Sequence, residues 1–203
     1  MERKTTRLEA FSDGIFGVAI TLLAIEIGIK EYLNPTNSNL WQRILEHWPE
    51  YFTYFNSFAV VLLIWMGHNQ IIDKINRINQ WIILLNGLVL LLVVLFPFPT
   101  KIAGTFIETP AENTAVAFYA AYTGLIVMSI LLLNIGILTN KHLLINPISN
   151  SIWIKKLIKG QFIAVLVYCL ATIIAFYNVP IALTITFAMW IYWIIIMKEK
   201  DLN

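Results

Sequence analysis

The chain has 203 residues, of which 59% are apolar and 13% charged, against about 45–50% and about 25% in a soluble domain. With a mean hydropathy of +0.73, that balance fits an integral membrane protein and excludes a secreted disulfide scaffold, a disordered tail and an ordinary cytosolic enzyme. The net charge is only +2 and the 14 Lys and Arg are dispersed, so no basic stripe suits a nucleic acid.

About 20 consecutive apolar residues cross the hydrocarbon core as a helix. Six stretches qualify, and nothing outside them is long enough for a separate soluble domain. The expectation is one all-α, six-helix transmembrane domain over residues 1–203.

The first span covers residues 8–29. Arg3, Lys4 and Arg7 precede it in the manner of a signal peptide. Asp13 interrupts the apolar run, however, no small-residue cleavage site follows, and five more spans come after it. Asp13 cannot pair with Arg7 on one face, because six residues turn a helix by about 240°. It must find donors on another helix or in water.

Farther along, Val18, Leu22, Ile25 and Ile29 fall within about 60° of one another around the axis, with Thr21 at the edge, about 60° from Val18. This makes an apolar face with a single hydroxyl. By periodicity alone it faces lipid or packs in a core. Ala10 and Gly14 form one small-residue pair four apart, and Ala24 and Gly28 another. Such pairs let helices approach closely. Glu26, near the outer end, either neutralises a partner or places negative charge at a mouth.

In the loop that follows, Leu40, Trp41, Ile44, Leu45 and Trp48 form an apolar stripe on a short helix. It either lies flat in the outer interface or packs on neighbouring helices. The second span, residues 51–67, runs into Trp65, His68, Asn69 and Gln70. The third, residues 81–98, carries Asn86 one to two turns in, and Pro97 and Pro99 are expected to stop it, since proline lacks the amide hydrogen of the ladder. Topology sets Ser12, Asp13, His68, Asn69 and Asn86 at one depth. The economical reading is a buried polar cluster tying the first three spans together. A hydrolase is disfavoured, because adjacent Ser12 and Asp13 diverge by about 100°.

The fourth span covers residues 115–138 and the fifth residues 157–177. The fifth contains the single cysteine, Cys169, which is read as packing. Asn178 and Pro180 make a tight turn into the sixth span, residues 179–197.

Loop charges set the orientation. With the N-terminus inside, one side holds Arg3, Lys4, Arg7, Lys74, Arg77, Lys141, Lys155, Lys156, Lys159, Lys198 and Lys200. The other holds Lys30, Arg43 and Lys101. Both termini are expected in the cytoplasm.

The span centres are almost purely apolar. This disfavours a secondary transporter of a cation or small solute, the main alternative, which usually carries ionisable groups at the midplane. His47, His68 and His142 are scattered, and no paired carboxylates share a depth, so no catalytic centre or resident cofactor is expected.

Arg7-x-x-x-Phe11-Ser12-Asp13, followed by Ala19-Ile20-Thr21-Leu22-Leu23, resembles the first-helix signature of the transmembrane protein 175 family. Those are endosomal and lysosomal potassium channels and their bacterial homologues. Trp65-x-x-His68 at the end of the second span is similar too, as is the end of the third. The resemblance covers essentially the whole chain. It implies a potassium-selective channel in a cell membrane, in which the first helix lines the pore and its motif holds that helix in place. Vertebrate members carry two six-helix repeats and dimerise. A single repeat implies a homotetramer. Carried onto this sequence, the constriction lies at Val18, Leu22 and Ile25, with Thr21 as the family's threonine. Val18 is smaller than the Ile or Leu usual there.

No TVGYG segment is present, so selectivity cannot come from that kind of carbonyl cage. A ring of four Thr21 hydroxyls would partly replace the hydration of a transient K⁺, and the apolar rings would gate by dewetting.

Overall fold

A computed structural model describes residues 3–25, 27 and 36–197. Among these, six helical segments are long and apolar enough to cross a membrane. The chain order is β1 (Arg3–Lys4), α1 (Thr6–Ile25), α2 (Asn37–Glu46), α3 (Trp48–Ile72), β2 (Arg77–Ile78), α4 (Gln80–Val94), α5 (Pro97–Phe106), α6 (Glu112–Thr139), α7 (Pro147–Ala175) and α8 (Val179–Met197). A short 3₁₀ turn, Lys141–Leu143, joins α6 to α7.

The third span differs from expectation in an instructive way. Pro97 and Pro99 do not end it; they open α5, and α4 and α5 together make a span of 27 residues. The amides that prolines lack would have bonded Val93 O and Leu95 O. Phe96 N takes Val93 O at 3.1 Å and Phe98 N takes Leu95 O at 3.1 Å instead. The ladder tightens for one turn, the two carbonyls the prolines would have served keep a donor, and helix resumes. The fifth span also begins earlier than expected, at Pro147, because a proline is well placed in a first helical turn. The turn between α7 and α8 is as expected, with Asn178 Oδ1 accepting from Ile181 N at 3.0 Å.

α6 is the central helix. Two thirds of its span, 67%, is buried inside the subunit, against 28% for α1 and 22% for α8. It packs on α4, α5, α7 and α8, while α1 rests on α3 and α4 at the edge of the bundle.

The N-terminal strand β1 pairs antiparallel with β2, which follows α3. The α6–α7 connection joins the same face, where Asn76 N donates to Leu143 O at 2.8 Å and Ile145 N to Lys74 O at 3.0 Å. Three segments that an even number of crossings should bring together are therefore bonded to one another.

Two readings of single residues are settled here. Cys169 is exposed on α7, not packed inside; in lipid a small apolar side chain is at no disadvantage on the outer face. Leu40, Trp41 and Leu45 of α2 are also exposed, so this stripe does not pack on neighbouring helices of its own chain.

Candidate functional site: the open face of the first helix

α1 has two distinct arcs. Leu8, Ser12, Phe16, Ala19 and Leu23 are buried, a spacing of four, four, three and four that makes one continuous stripe. About 120° round the axis lies the Val18, Leu22 and Ile25 face. There the side chains are open: Val18 is 50% exposed, Leu22 36% and Ile25 73%. Thr21 and Phe11 are exposed as well. The expected apolar face is thus real, and it does not belong to the subunit's own core.

The flank of that face is made of small residues. Ala10, Gly14, Gly17 and Ala24 are exposed. A Cβ added at Gly14 or Gly17 would meet nothing within 4 Å. Half the circumference of α1 therefore offers a narrow backbone surface to something outside the subunit. Gly28, Ile29 and Glu26 lie outside the described residues.

Thr21 Oγ1 donates its proton to Val18 O at 2.8 Å. With the hydrogen committed to its own helix, the hydroxyl oxygen keeps its lone pairs for an outside group. That is the chemistry a cation needs. Val18 to Ile25 is seven residue steps, so the open stripe is about 10 Å long.

The polar cluster expected behind this helix forms, as a directional chain. Ser12 Oγ donates to Leu8 O at 2.8 Å. Asn86 Nδ2 donates to Ser12 Oγ at 3.0 Å. His68 Nε2 lies 2.6 Å from Asn86 Oδ1. Asn86 offers its oxygen to His68, so Nε2 is the nitrogen that bears hydrogen and donates. All three side chains are buried. Phe16 of the same α1 stripe packs on the His68 ring, with centroids 5.3 Å apart. Asn69, half-buried, adds a polar side chain beside His68.

Asp13 stands apart from that chain. It is exposed, and its Oδ1 accepts from Trp65 Nε1 at 2.8 Å. The donor on another helix is therefore an indole at the edge of the bundle. Arg7 is exposed. The motif fixes α1 twice: Ser12 through Asn86 to His68 inside, and Asp13 to Trp65 at the rim. Ser12 gives its proton to a main-chain carbonyl and has no histidine beside it, so a nucleophilic role has no geometry.

A second buried cluster escaped the sequence reading. Asn56 Nδ2 donates to Tyr119 Oη at 3.0 Å and reaches Thr186 Oγ1 at 3.4 Å. Ser57 Oγ lies 3.0 Å from Tyr119 Oη and 2.7 Å from Thr100 Oγ1. It joins α3, α5, α6 and α8. The signal was available: Asn56, Ser57, Tyr119 and Thr186 are polar residues inside apolar spans.

Residues 7–97 match the sequence profile of the family described as the endosomal/lysosomal potassium channel TMEM175. The chain is 36% identical over 119 residues to a potassium channel of Chamaesiphon minutus, a match covering 59% of each chain. A potassium channel of Streptomyces collinus is 36% identical over 115 residues, 55% of its length. The chain thus covers less than two thirds of either relative. A potassium channel of a Chryseobacterium strain is 27% identical over 97% of both chains. Among solved structures, a lysosomal potassium-selective channel TMEM175 homologue from Chamaesiphon minutus superimposes with a TM-score of 0.82 and 28% identity, covering 96% of this chain and 98% of that one.

Proposed function

Because residues 7–97 match the family of the endosomal/lysosomal potassium channel TMEM175 and the whole fold superimposes on a homologue of it, we propose that the chain belongs to that family and is a potassium-selective channel whose pore is lined by α1 of a homotetramer. The observation that carries this reading is the divided surface of α1. One stripe is buried, and the Val18–Ile25 face is open in the subunit beside small residues.

In lipid, helices associate through close packing and polar bonds, not through the expulsion of water. Ala10, Gly14, Gly17 and Ala24 give a neighbouring α1 room to approach. Four copies then turn Val18, Leu22 and Ile25 toward one axis, where apolar rings set a dewetting barrier. Thr21 places four hydroxyl oxygens next to those rings. An ion that gives up part of its hydration there is K⁺ more readily than the more strongly hydrated Na⁺. No cofactor takes part; K⁺ is the permeant ion and the lipid bilayer the solvent of the outer helices. The side that holds β1, β2 and the α6–α7 connection is the one the lysines and arginines favour, which supports a cytoplasmic position for it and for both termini in a cell membrane.

Single cysteines at Val18, Leu22 and Ile25 in a Cys169→Ser background test the axis. Disulfide-linked dimers between subunits, with flux blocked by a thiol reagent, are expected. No crosslink and no block would move the pore elsewhere. Liposome flux in K⁺ or Na⁺ without a coupling ion separates a channel from a transporter.

A further inference from the structure

Behind the polar chain lies a cavity of about 40 Å³ between α3, α6, α7 and α8. Its walls are mostly apolar, among them Val60, Val127, Ile130 and Leu157. Six side chains with a polar atom also line it: His68, Thr123, Gln161, Tyr168, Trp190 and Trp193. Two of these present buried groups without a partner among the described residues, His68 Nδ1 and Trp190 Nε1. His68 itself is 1% exposed.

The two orphans are chemically complementary. His68 Nε2 bears hydrogen, because Asn86 spends its own amide on Ser12 and offers Oδ1 to the ring. In the neutral ring Nδ1 is then a bare acceptor. Trp190 Nε1–H is a donor only. A buried polar group left unpaired is costly, and native interiors satisfy such groups with protein or with ordered water. A cavity needs roughly 10–15 Å³ of this measure per water, so there is room for about three. An apolar cavity that binds a ring such as benzene is several times larger.

We propose that this cavity is a hydration site: water donates to His68 Nδ1 and water accepts from Trp190 Nε1–H, deep inside each subunit. The water holds the imidazole in the ring orientation that serves Asn86. It thereby extends the Ser12–Asn86–His68 chain from α1 across to α8.

The test is ¹⁵N NMR of histidine in the intact protein in lipid, with His68 isolated in a His47→Gln, His142→Gln background. The expected Nδ1 signal is that of an unprotonated nitrogen accepting a hydrogen bond, with a through-space contact to water. Trp190→Phe, which removes the donor, should move the signal toward the unbonded position. Val127→Ile, which fills space, should do the same should Trp190→Phe fail to fold. An unbonded Nδ1 in the unfilled cavity would overturn the proposal. So would a protonated Nδ1, which puts a donor where the site needs an acceptor. Xenon entering the cavity marks it as dry and also counts against it.

Discussion

The two buried polar clusters sit on the same helix, α3, and do different things. His68 and Asn56 are twelve residues apart, or about 18 Å along the axis. The His68 cluster reaches outward from the bundle to grip α1 through Asn86 and Ser12. The Asn56 cluster binds α3, α5, α6 and α8 to one another and has no member on α1. So α1 is bolted by polar bonds at the end that carries Ser12 and Asp13. Beyond that it leans on the bundle through apolar contacts only, with Phe16, Ala19 and Leu23 buried and Ile15 and Ile20 packed beside them. Since apolar contact in lipid gains little over lipid itself, the stretch from Val18 to Ile25 is the part whose position neighbouring copies would set in the proposed tetramer. One cluster fixes α1, the helix proposed to line the pore, and the other fixes the wall it stands against.

The sharpest way to break this contrast is Asn86→Leu. It keeps the volume but removes both bonds of the inner chain. His68 Nε2–H is then left buried without an acceptor, at about 1–3 kcal/mol. Ser12 loses the donor that reaches it from α4. We expect a fall in the melting temperature of the detergent-purified protein and a loss of K⁺ flux by more than about tenfold, since 1.4 kcal/mol alone is a factor of ten. Wild-type flux from a folded Asn86→Leu protein would show that the inner chain does not hold the lining helix.

Tyr119→Phe is the matching cut in the other cluster. Asn56 and Ser57 lose their shared partner, for about 1–3 kcal/mol, and the stack of Phe96 on the ring, with centroids 5.6 Å apart, is kept. Stability should drop much as before, while the flux per folded channel and its preference for K⁺ stay unchanged. A selectivity change in Tyr119→Phe would erase the distinction between wall and lining.

Asp13→Ala addresses the rim. The Trp65–Asp13 bond is exposed in the subunit, and a hydrogen bond to a charged group contributes about 1.5–3 kcal/mol at most. Ser12 and Asn86 remain in place in this variant. A partial loss is expected: a smaller tetramer fraction on blue-native gels or a lower open probability, with unchanged selectivity. Unaltered assembly and gating would leave Asp13 without the role assigned to it.

How much of this could be read in the chain depended on the kind of signal. The inner cluster was legible because Ser12, His68 and Asn86 fall at one depth whenever three spans alternate in direction. The open face of α1 was legible as a periodic stripe, but whether it met core, lipid or another copy was not. Periodicity shows that residues share a face, not what lies beyond it, and Val18 and Cys169 look alike in that respect. The outer cluster was missed because single Asn, Ser, Tyr and Thr residues in apolar runs are common, and only packing brings four helices together at Tyr119. The Pro97–Pro99 segment misled for a local reason. Proline's missing amide matters only if a carbonyl is left over, and here Phe96 N and Phe98 N take both.

The smallest and most specific effect belongs to Thr21. Thr21→Val keeps the shape of the side chain and removes its oxygen. The bond it gives up, to Val18 O at 2.8 Å, lies within its own helix on an exposed face. Stability and assembly should therefore barely change, unlike in the variants above. In the proposed tetramer what changes is the surface an ion meets: four oxygens with free lone pairs become four methyl groups, and K⁺ and Na⁺ both face an apolar wall. A difference of about 1 kcal/mol in how the oxygens treat the two ions corresponds to roughly a fivefold change in their ratio. The readout is the reversal potential with K⁺ on one side and Na⁺ on the other, which is independent of how many channels are present. The K⁺ to Na⁺ permeability ratio should fall. Leu22→Ala, by contrast, shortens an apolar side chain and widens the path, so current should rise while discrimination loosens. The pair separates oxygen chemistry from pore width. A reversal potential unmoved in Thr21→Val but shifted in Leu22→Ala would assign selectivity to the apolar rings, and the open face of α1 would then act through its dimensions alone.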